Sequence, residues 1–226
     1  MSTIEKTVQQ PTSDWRGRLH LGAYTATEAA WLIETTRQMV AAWWRIAYNQ
    51  DIASAPTTPA NPILLSYLQL VETAVAITLR GSGASFADIF SLHTRLREQS
   101  GNEYPFAASA LRDPWVSTIH DAPSPADSDN QLHWQRVLQR RLDQFDDEDG
   151  CALRWYPRGR DGLVVVDPRI AFGAPTITGT GVALHIIQER LASDETPAMI
   201  AADFGLTVAQ VDAVEGLLRP RAHRAA

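Results

Sequence analysis

Residues 163–217 read LVVVDPRIAFGAPTITGTGVALHIIQERLASDETPAMIAADFGLTVAQVDAVEGL. A β-branched run, Val164 to Val166, stops at Asp167-Pro168, and a turn rich in glycine and proline follows. Three short helical patterns come next, separated by capping residues. Between Gly181 and Leu191, the side chains of Leu184, Ile187 and Leu191 share one face, with Val182 and Ile186 as a weaker stripe beside it. The second pattern opens at Thr196, places Pro197 just inside the helix and closes before Gly205. In the third, Thr207 caps, Gln210 completes a capping box, and Val208, Val211 and Val214 follow at helical spacing. Two helices about a glycine turn predict a helix-turn-helix. Helices this short are marginal alone in water, so the three must share one bundle.

The same stretch resembles the C-terminal domain of unknown function numbered 433, which is common in bacterial antitoxins. The resemblance rests on Asp167, Pro168, Arg169, Gly173, Pro175, Gly179 and Thr180, and continues through Ala201, Ala202, Asp203, Phe204 and Gly205. At one position the chain departs from the pattern: Gly181 stands where the family usually carries arginine.

Composition narrows the function classes. The chain has 226 residues and a formal net charge of −6, enough to bury a real core and unlike a uniformly basic nucleic-acid binder. Lys6 is the only lysine, and the remaining basic side chains are arginines. A single cysteine, Cys151, permits neither an intramolecular disulfide nor a cysteine-rich zinc site. No apolar run is long enough to span a bilayer, and the polar N-terminus is no signal peptide. These features predict a cytoplasmic protein that does not engage a membrane.

Upstream, residues 1–20 read as a flexible arm or extended segment, with Trp15 and Leu19 able to dock on a neighbour. Thr25 and Glu28 form a capping box ahead of Ala29, Leu32 and Ile33. Thr35 or Thr36 restarts a second helix, with Met39, Val40 and Trp43 on its apolar side. Periodicity alone gives an ordinary helical pair. The segment also resembles the headpiece of MerR-like proteins, on Thr25, Glu28, Ala29, Ala30, Leu32, Val40 and Trp43. That resemblance implies a helix-turn-helix whose second helix offers Arg37, Gln38, Ala41 and Arg45 to DNA. Alanine can touch a thymine methyl but cannot reach phosphate, and residues 1–50 sum to about +1, a weak footprint for DNA. Fold by itself does not establish activity.

Residues 51–62, with Pro56, Pro59 and Pro62, read as a linker or degenerate wing. Ile63 to Leu79 is a long helical pattern whose stripe of Leu64, Leu68, Val71 and Val75 is either plain core or the seam of a homodimer. Ser85 caps a further helix through Phe86, Ile89 and Leu92. A short strand is expected around Trp115, Val116 and Ile119, and a helix from Asn130 to about Phe145 carrying Arg136, Arg140 and Arg141. The acidic run from Asp146 to Asp149 reads as a solvated loop, because it lacks the alternating ligands and distal glutamate of a calcium loop. Ala152 to Tyr156 and Leu163 to Val166 read as a β-hairpin.

No catalytic constellation is visible. The six histidines are dispersed, none in HExxH spacing, and His185 reads as a packing residue. Cys151 follows an acidic loop, which raises rather than lowers a thiol pKa. The chain is therefore expected to be no enzyme, and to need no metal and no cofactor.

The expected fold is mainly α with a small β-hairpin. Its parts are a MerR-like headpiece over 20–55, a central helical dimerisation region over 60–150, a C-terminal helical bundle over 151–218, and a cationic tail over 219–226. Over residues 24–217 the chain is similar to VapB-type antitoxins. That resemblance implies a partner, a PIN-like ribonuclease toxin, and an operator DNA site bound for autoregulation. An arginine reaching the toxin's metal-holding carboxylates would come from Arg219, Arg221 and Arg224 of the tail, or from Arg136, Arg140 and Arg141. A stand-alone DNA-binding regulator and a non-DNA-binding scaffold are the alternatives.

Overall fold

The structure, a computed structural model, describes residues 15–48, 63–108, 137–148 and 150–218. The expected strand near Trp115 lies outside the described residues. The chain begins with one helical turn, α1 (Trp15–Arg18), and reaches a two-residue strand, β1 (Tyr24–Thr25). Helix α2 (Ala26–Ile33) starts at the expected box: the Glu28 amide donates to the Thr25 hydroxyl at 3.2 Å, and the Thr25 amide donates to the Glu28 carboxylate at 2.8 Å. Glu34 closes α2 in left-handed backbone, φ 64°, and α3 (Arg37–Tyr48) follows with the Met39 amide donating to the Thr36 hydroxyl. The buried side chains of the pair include Ala29, Leu32, Ile33, Val40 and Trp43. Leu19, a candidate for docking on a neighbour, is buried in the chain's own core.

The long apolar pattern divides in two. Leu64–Leu65 form β2, paired antiparallel with β1, and helix α4 runs from Tyr67 to Gly81 rather than over 63–79. The divider is Ser66, whose hydroxyl accepts from the Gln69 amide while Gln69 accepts from the Ser66 amide, a second capping box. Helix α4 is central: Leu68, Val71 and Val75 are buried inside the chain, while Leu64 is 45% exposed. The stripe therefore fills the interior of one chain, and of the residues assigned to a dimer seam only Leu64 reaches the surface. Helix α5 (Phe86–Ser100) has its own box, Ser85 with Asp88, and ends at Gly101.

Residues 137–142 are helical (α6), but Phe145 is not part of that helix. The acidic run expected in a loop forms β3 (Phe145–Glu148), paired antiparallel with β4 (Cys151–Trp155). Two causes are visible. Phe145 is buried and stacked on Trp155, with centroids 5.5 Å apart. The carboxylates beyond it meet arginines: Asp146 pairs with Arg160 at 2.5 Å, and Glu148 with Arg169 at 2.5 Å. The hairpin expected between Ala152–Tyr156 and Leu163–Val166 survives as one bridge, Trp155 to Val166. Val164–Val165 (β5) pair with Thr176–Ile177 (β6).

Three C-terminal helices complete the fold: α7 (Leu184–Ala192), α8 (Pro197–Phe204) and α9 (Val208–Leu218). The Thr196 and Thr207 caps and the left-handed Gly205 stand where the spacing put them. Their buried side chains, with Val164 and Ile177, form a separate cluster. The β3–β4 hairpin instead packs with α2 and α4, contributing Phe145, Leu153 and Trp155 to their cluster. The Tyr67 hydroxyl donates to the Leu153 carbonyl at 2.7 Å, fixing that arrangement.

The C-terminal segment is tied back at one glycine. The buried Tyr24 hydroxyl donates to the Gly173 carbonyl at 2.7 Å. Gly173 has φ +85°, and a Cβ there would lie 2.6 Å from the Tyr24 hydroxyl oxygen. Gly173→Ala is expected to cost about 1–2 kcal/mol from backbone conformation alone, and more from the displaced tyrosine. A thermal melt would show it as a loss of roughly 2–4 °C per kcal/mol. An unchanged melting temperature would show that this contact is dispensable.

Candidate functional site

One candidate surface is the outer face of α3. Arg37, Gln38 and Arg45 are exposed, but Ala41, at 8%, packs into the core and has no surface for a base. Of the two tryptophans, Trp43 is buried against Phe106 and His93, and Trp44 is half-buried against the neighbouring cluster. Behind the end of α3 lies a buried carboxylate, Glu72. It accepts from the Tyr48 hydroxyl at 2.6 Å and the Phe106 amide at 2.7 Å, and lies 2.6 Å from His93 Nε2. Burial, then the Glu72 charge, pushes the Tyr48 phenol well above its ordinary range. This knot holds α3 on α4 and α5.

The second candidate is the junction between α2 and the C-terminal segment. The Trp31 indole donates to the Leu217 carbonyl at 3.4 Å, at the end of α9. Arg158 donates to the Trp31 carbonyl and pairs with Glu34 at 2.8 Å. Beside them opens a cleft of about 440 Å³, lined among others by Tyr24, Glu28, Trp31, Phe172, Pro175 and His185. Phe172 is 77% exposed and left-handed (φ 57°), directly after left-handed Ala171, and the Arg18 guanidinium lies 4.5 Å from its ring centroid. His185, expected to pack, is exposed at this rim.

An ionic hub underlies the junction. The Asp167 side chain is 0% exposed. It accepts from Arg169 Nε and the Arg169 amide, both at 2.9 Å, from the far Arg169 nitrogen at 2.8 Å, and from Arg154 Nε at 3.0 Å. Burial by itself raises this carboxyl, but the bonds from Arg169 and then Arg154 outweigh it and hold Asp167 below the usual carboxylate range. The side-chain bonds to Asp167 hold Arg169 above its ordinary value. The Asp-Pro-Arg motif thus closes on itself: one buried carboxylate satisfied by two arginines.

The other sequence candidates scatter. Arg140 is exposed, whereas Arg141 is held by the Thr78 hydroxyl at 2.8 Å and by Gln144 at 2.9 Å. Arg136, Arg219, Arg221 and Arg224 lie outside the described residues. Gly181 is exposed with φ +72°. Sequence reading missed Trp31, Arg158, Phe172 and the buried Glu72. The available signals were a tryptophan off the apolar face of α2 and a glutamate inside an apolar helix.

With this geometry in hand, comparison with known proteins is informative. Residues 164–215 match the family described as "Protein of unknown function (DUF433)". The chain is 22% identical over 229 residues to "Putative antitoxin VapB45" of Mycobacterium tuberculosis, covering 88% of this chain and 95% of that protein. The fold matches the crystal structure of Rv2018 from Mycobacterium tuberculosis at TM-score 0.68 and 22% identity, over 88% of this chain and 99% of that one.

Among the described residues, no group of three His, Cys, Asp or Glu side chains could hold a metal ion, and no helix is long and apolar enough to cross a membrane. Burial, then Asp147, pushes the Cys151 thiol up to about 11, so it is no nucleophile at neutral pH.

The hub predicts acid sensitivity. Because the Asp167 pKa is depressed on folding, its stabilisation is complete above the unfolded value of about 3.9 and is lost as pH falls through the folded value. Asp167→Asn is expected to lose about 1–3 kcal/mol at pH 7, with a smaller difference from wild type below about pH 4. Denaturant titrations at both pH values measure this. A difference independent of pH would remove the carboxylate charge as the cause.

Proposed function

We propose that this chain is the antitoxin of a toxin–antitoxin pair: it binds and neutralises a PIN-like ribonuclease and represses its own operon. The observation that carries the reading is the similarity to an antitoxin-named protein along nearly the whole of both chains. The headpiece supports the second activity. A capped α2 and a firmly held α3, with Arg37, Gln38 and Arg45 outward, support the reading of a MerR-like helix-turn-helix. A homodimer would set two such helices on successive half-sites of operator DNA. The cationic tail, Arg219 to Arg224, supports an inhibitory role, because arginine pairs bidentately with the carboxylates a metal-dependent nuclease uses.

Co-expression with a PIN-like ribonuclease encoded beside this chain is expected to yield a stable complex with suppressed ribonuclease activity; absence of such a neighbouring gene, or failure to co-purify, would overturn the reading. Truncation after Leu218 is expected to leave the fold intact and to weaken inhibition, with lower affinity in calorimetry. Unchanged inhibition would remove the tail from the mechanism. In gel shifts on the promoter of its own operon, Arg37→Ala or Arg45→Ala should each lower the salt slope by about one if the lost side chain contacts phosphate. No shift by wild-type protein at low salt would leave toxin binding alone.

A further inference from the structure

A cavity of about 210 Å³, lined by Thr78, Val137, Arg140, Arg141 and Gln144, holds a charge that no acid answers. Arg141 is partly buried there. Its Nε donates to the Thr78 hydroxyl at 2.8 Å and its Nη1 to Gln144 Oε1 at 2.9 Å, and both partners are neutral. Among the described residues, no carboxylate lies within ion-pair distance of Arg141 or of exposed Arg140. Glu34, which acts on Arg141 from further off, pairs with Arg158 at 2.8 Å. Asp143 accepts instead from the Gln139 side-chain amide at 2.8 Å. Burial draws the Arg141 pKa below its ordinary value; Glu34 opposes the shift and Arg158 adds to it. The buried charges of Asp167 and Glu72 are met by hydrogen-bonding partners that answer them, whereas Arg141 has no counter-charge. Withdrawing an unmatched guanidinium from water costs free energy.

An inventory of the lining groups says what would answer it. The Thr78 hydroxyl gives its own proton to the Ala74 carbonyl at 2.8 Å and accepts from Arg141. Gln144 Oε1 accepts from Arg141 and from the Trp155 indole at 3.3 Å. Arginine and tryptophan side chains can only donate, so these two bonds fix which end of the Gln144 amide is oxygen and leave its NH2 as the unused end. What remains unspent is Arg141 Nη2, the Arg140 guanidinium and the Gln144 NH2. All three are donors, and two carry positive charge. A cation would be repelled, and a water would satisfy a donor without cancelling the charge. An oxyanion supplies both acceptors and charge, and guanidinium groups pair with phosphate oxygens in a matching planar geometry. Donors from three residues suit the three terminal oxygens of a phosphoryl group better than the two of a carboxylate. The volume is below the roughly 300–1,000 Å³ of sites that enclose larger organic ligands, so one small anion fills it.

We infer that this cavity is a phosphate site, taking inorganic phosphate or the phosphoryl end of a small phosphomonoester on Arg140, Arg141 and Gln144. The inference is independent of the antitoxin reading. It also removes Arg141 from the arginines able to reach into a partner, since its bonds to Thr78 and Gln144 hold it against its own chain. A bound phosphate would tie together α4, which supplies Thr78, α6, which supplies both arginines, and the entry to β3 at Gln144.

The test titrates the full-length chain with inorganic phosphate and with glycerol 1-phosphate, by calorimetry and by thermal melts, against chloride at equal ionic strength. Phosphate at about 10 mM should raise the melting temperature by about 2–4 °C over chloride. Arg140→Ala, at an exposed position, should weaken phosphate binding about tenfold or more without changing the fold. Gln144→Glu is the sharper variant. It keeps the acceptor for Arg141 and Trp155 and supplies the missing negative charge from within the chain. It should melt higher than wild type without phosphate and no longer respond to it. Tighter binding of glycerol 1-phosphate than of inorganic phosphate would assign the site to a phosphomonoester, and the reverse order to the free ion; either supports the inference. A wild-type response to phosphate no larger than to chloride would overturn it. So would a response that survives in both variants, since the anion would then bind elsewhere. Tighter binding of single-stranded RNA, lost in the same variants, would give the surface to nucleic acid and overturn the small-ligand assignment. If one variant fails to fold, the other decides by the same criterion.

Discussion

The Asp167 carboxylate organises the second half of this molecule. It is fully enclosed, and a bare carboxylate in that position would cost several kcal/mol. It is tolerated because Arg169 grips it from two residues away and Arg154 reaches it from β4. Arg169 also holds Glu148 on β3, so one motif joins both strands of the hairpin to the turn that begins the C-terminal segment. The turn's path then delivers Gly173 beneath Tyr24. The arginines remain partly open to water, which moderates their own desolvation cost.

The headpiece depends on a comparable device of different make. Glu72 is buried on the central helix and surrounded by donors from α3, α5 and the segment that follows. It couples the orientation of α3 to the core through directional bonds, whereas the apolar side chains around it could slide. A buried polar group with every partner in place favours one arrangement of the elements that supply those partners. Here the geometry so fixed is that of the outer face of α3, which carries Arg37, Gln38 and Arg45.

The helices were legible where their signals are local. Thr25 with Glu28 and Thr207 with Gln210 each name a boundary within four residues, Pro197 and Gly205 mark the two ends of α8, and each boundary stands. Ser66 shows how such a signal is lost: set inside an apolar run, its box with Gln69 was read through, and a strand and a helix merged into one. The acidic run after Phe145 failed for the opposite reason. Its charges look solvated in isolation, and their arginine partners, Arg160 and Arg169, lie 14 and 21 residues further on. The stripe of Leu68, Val71 and Val75 carries no mark distinguishing a core from a seam, since both need the same residues. Sequence placed functional weight on cations; the junction contacts made by Trp31, Phe172 and Gly173 have no periodic or local signature.

The bond from Tyr24 to Gly173 has a consequence during synthesis. Its partners are 149 positions apart, and the boxes that start α2, α4 and α5 need only four residues each. At roughly 5–20 residues per second, Tyr24 is synthesised about 7–30 s before its anchoring carbonyl exists. Through that interval the Tyr24 hydroxyl and the Trp31 indole have no native acceptor. Both groups must stay hydrated until the C-terminal segment arrives to replace that water.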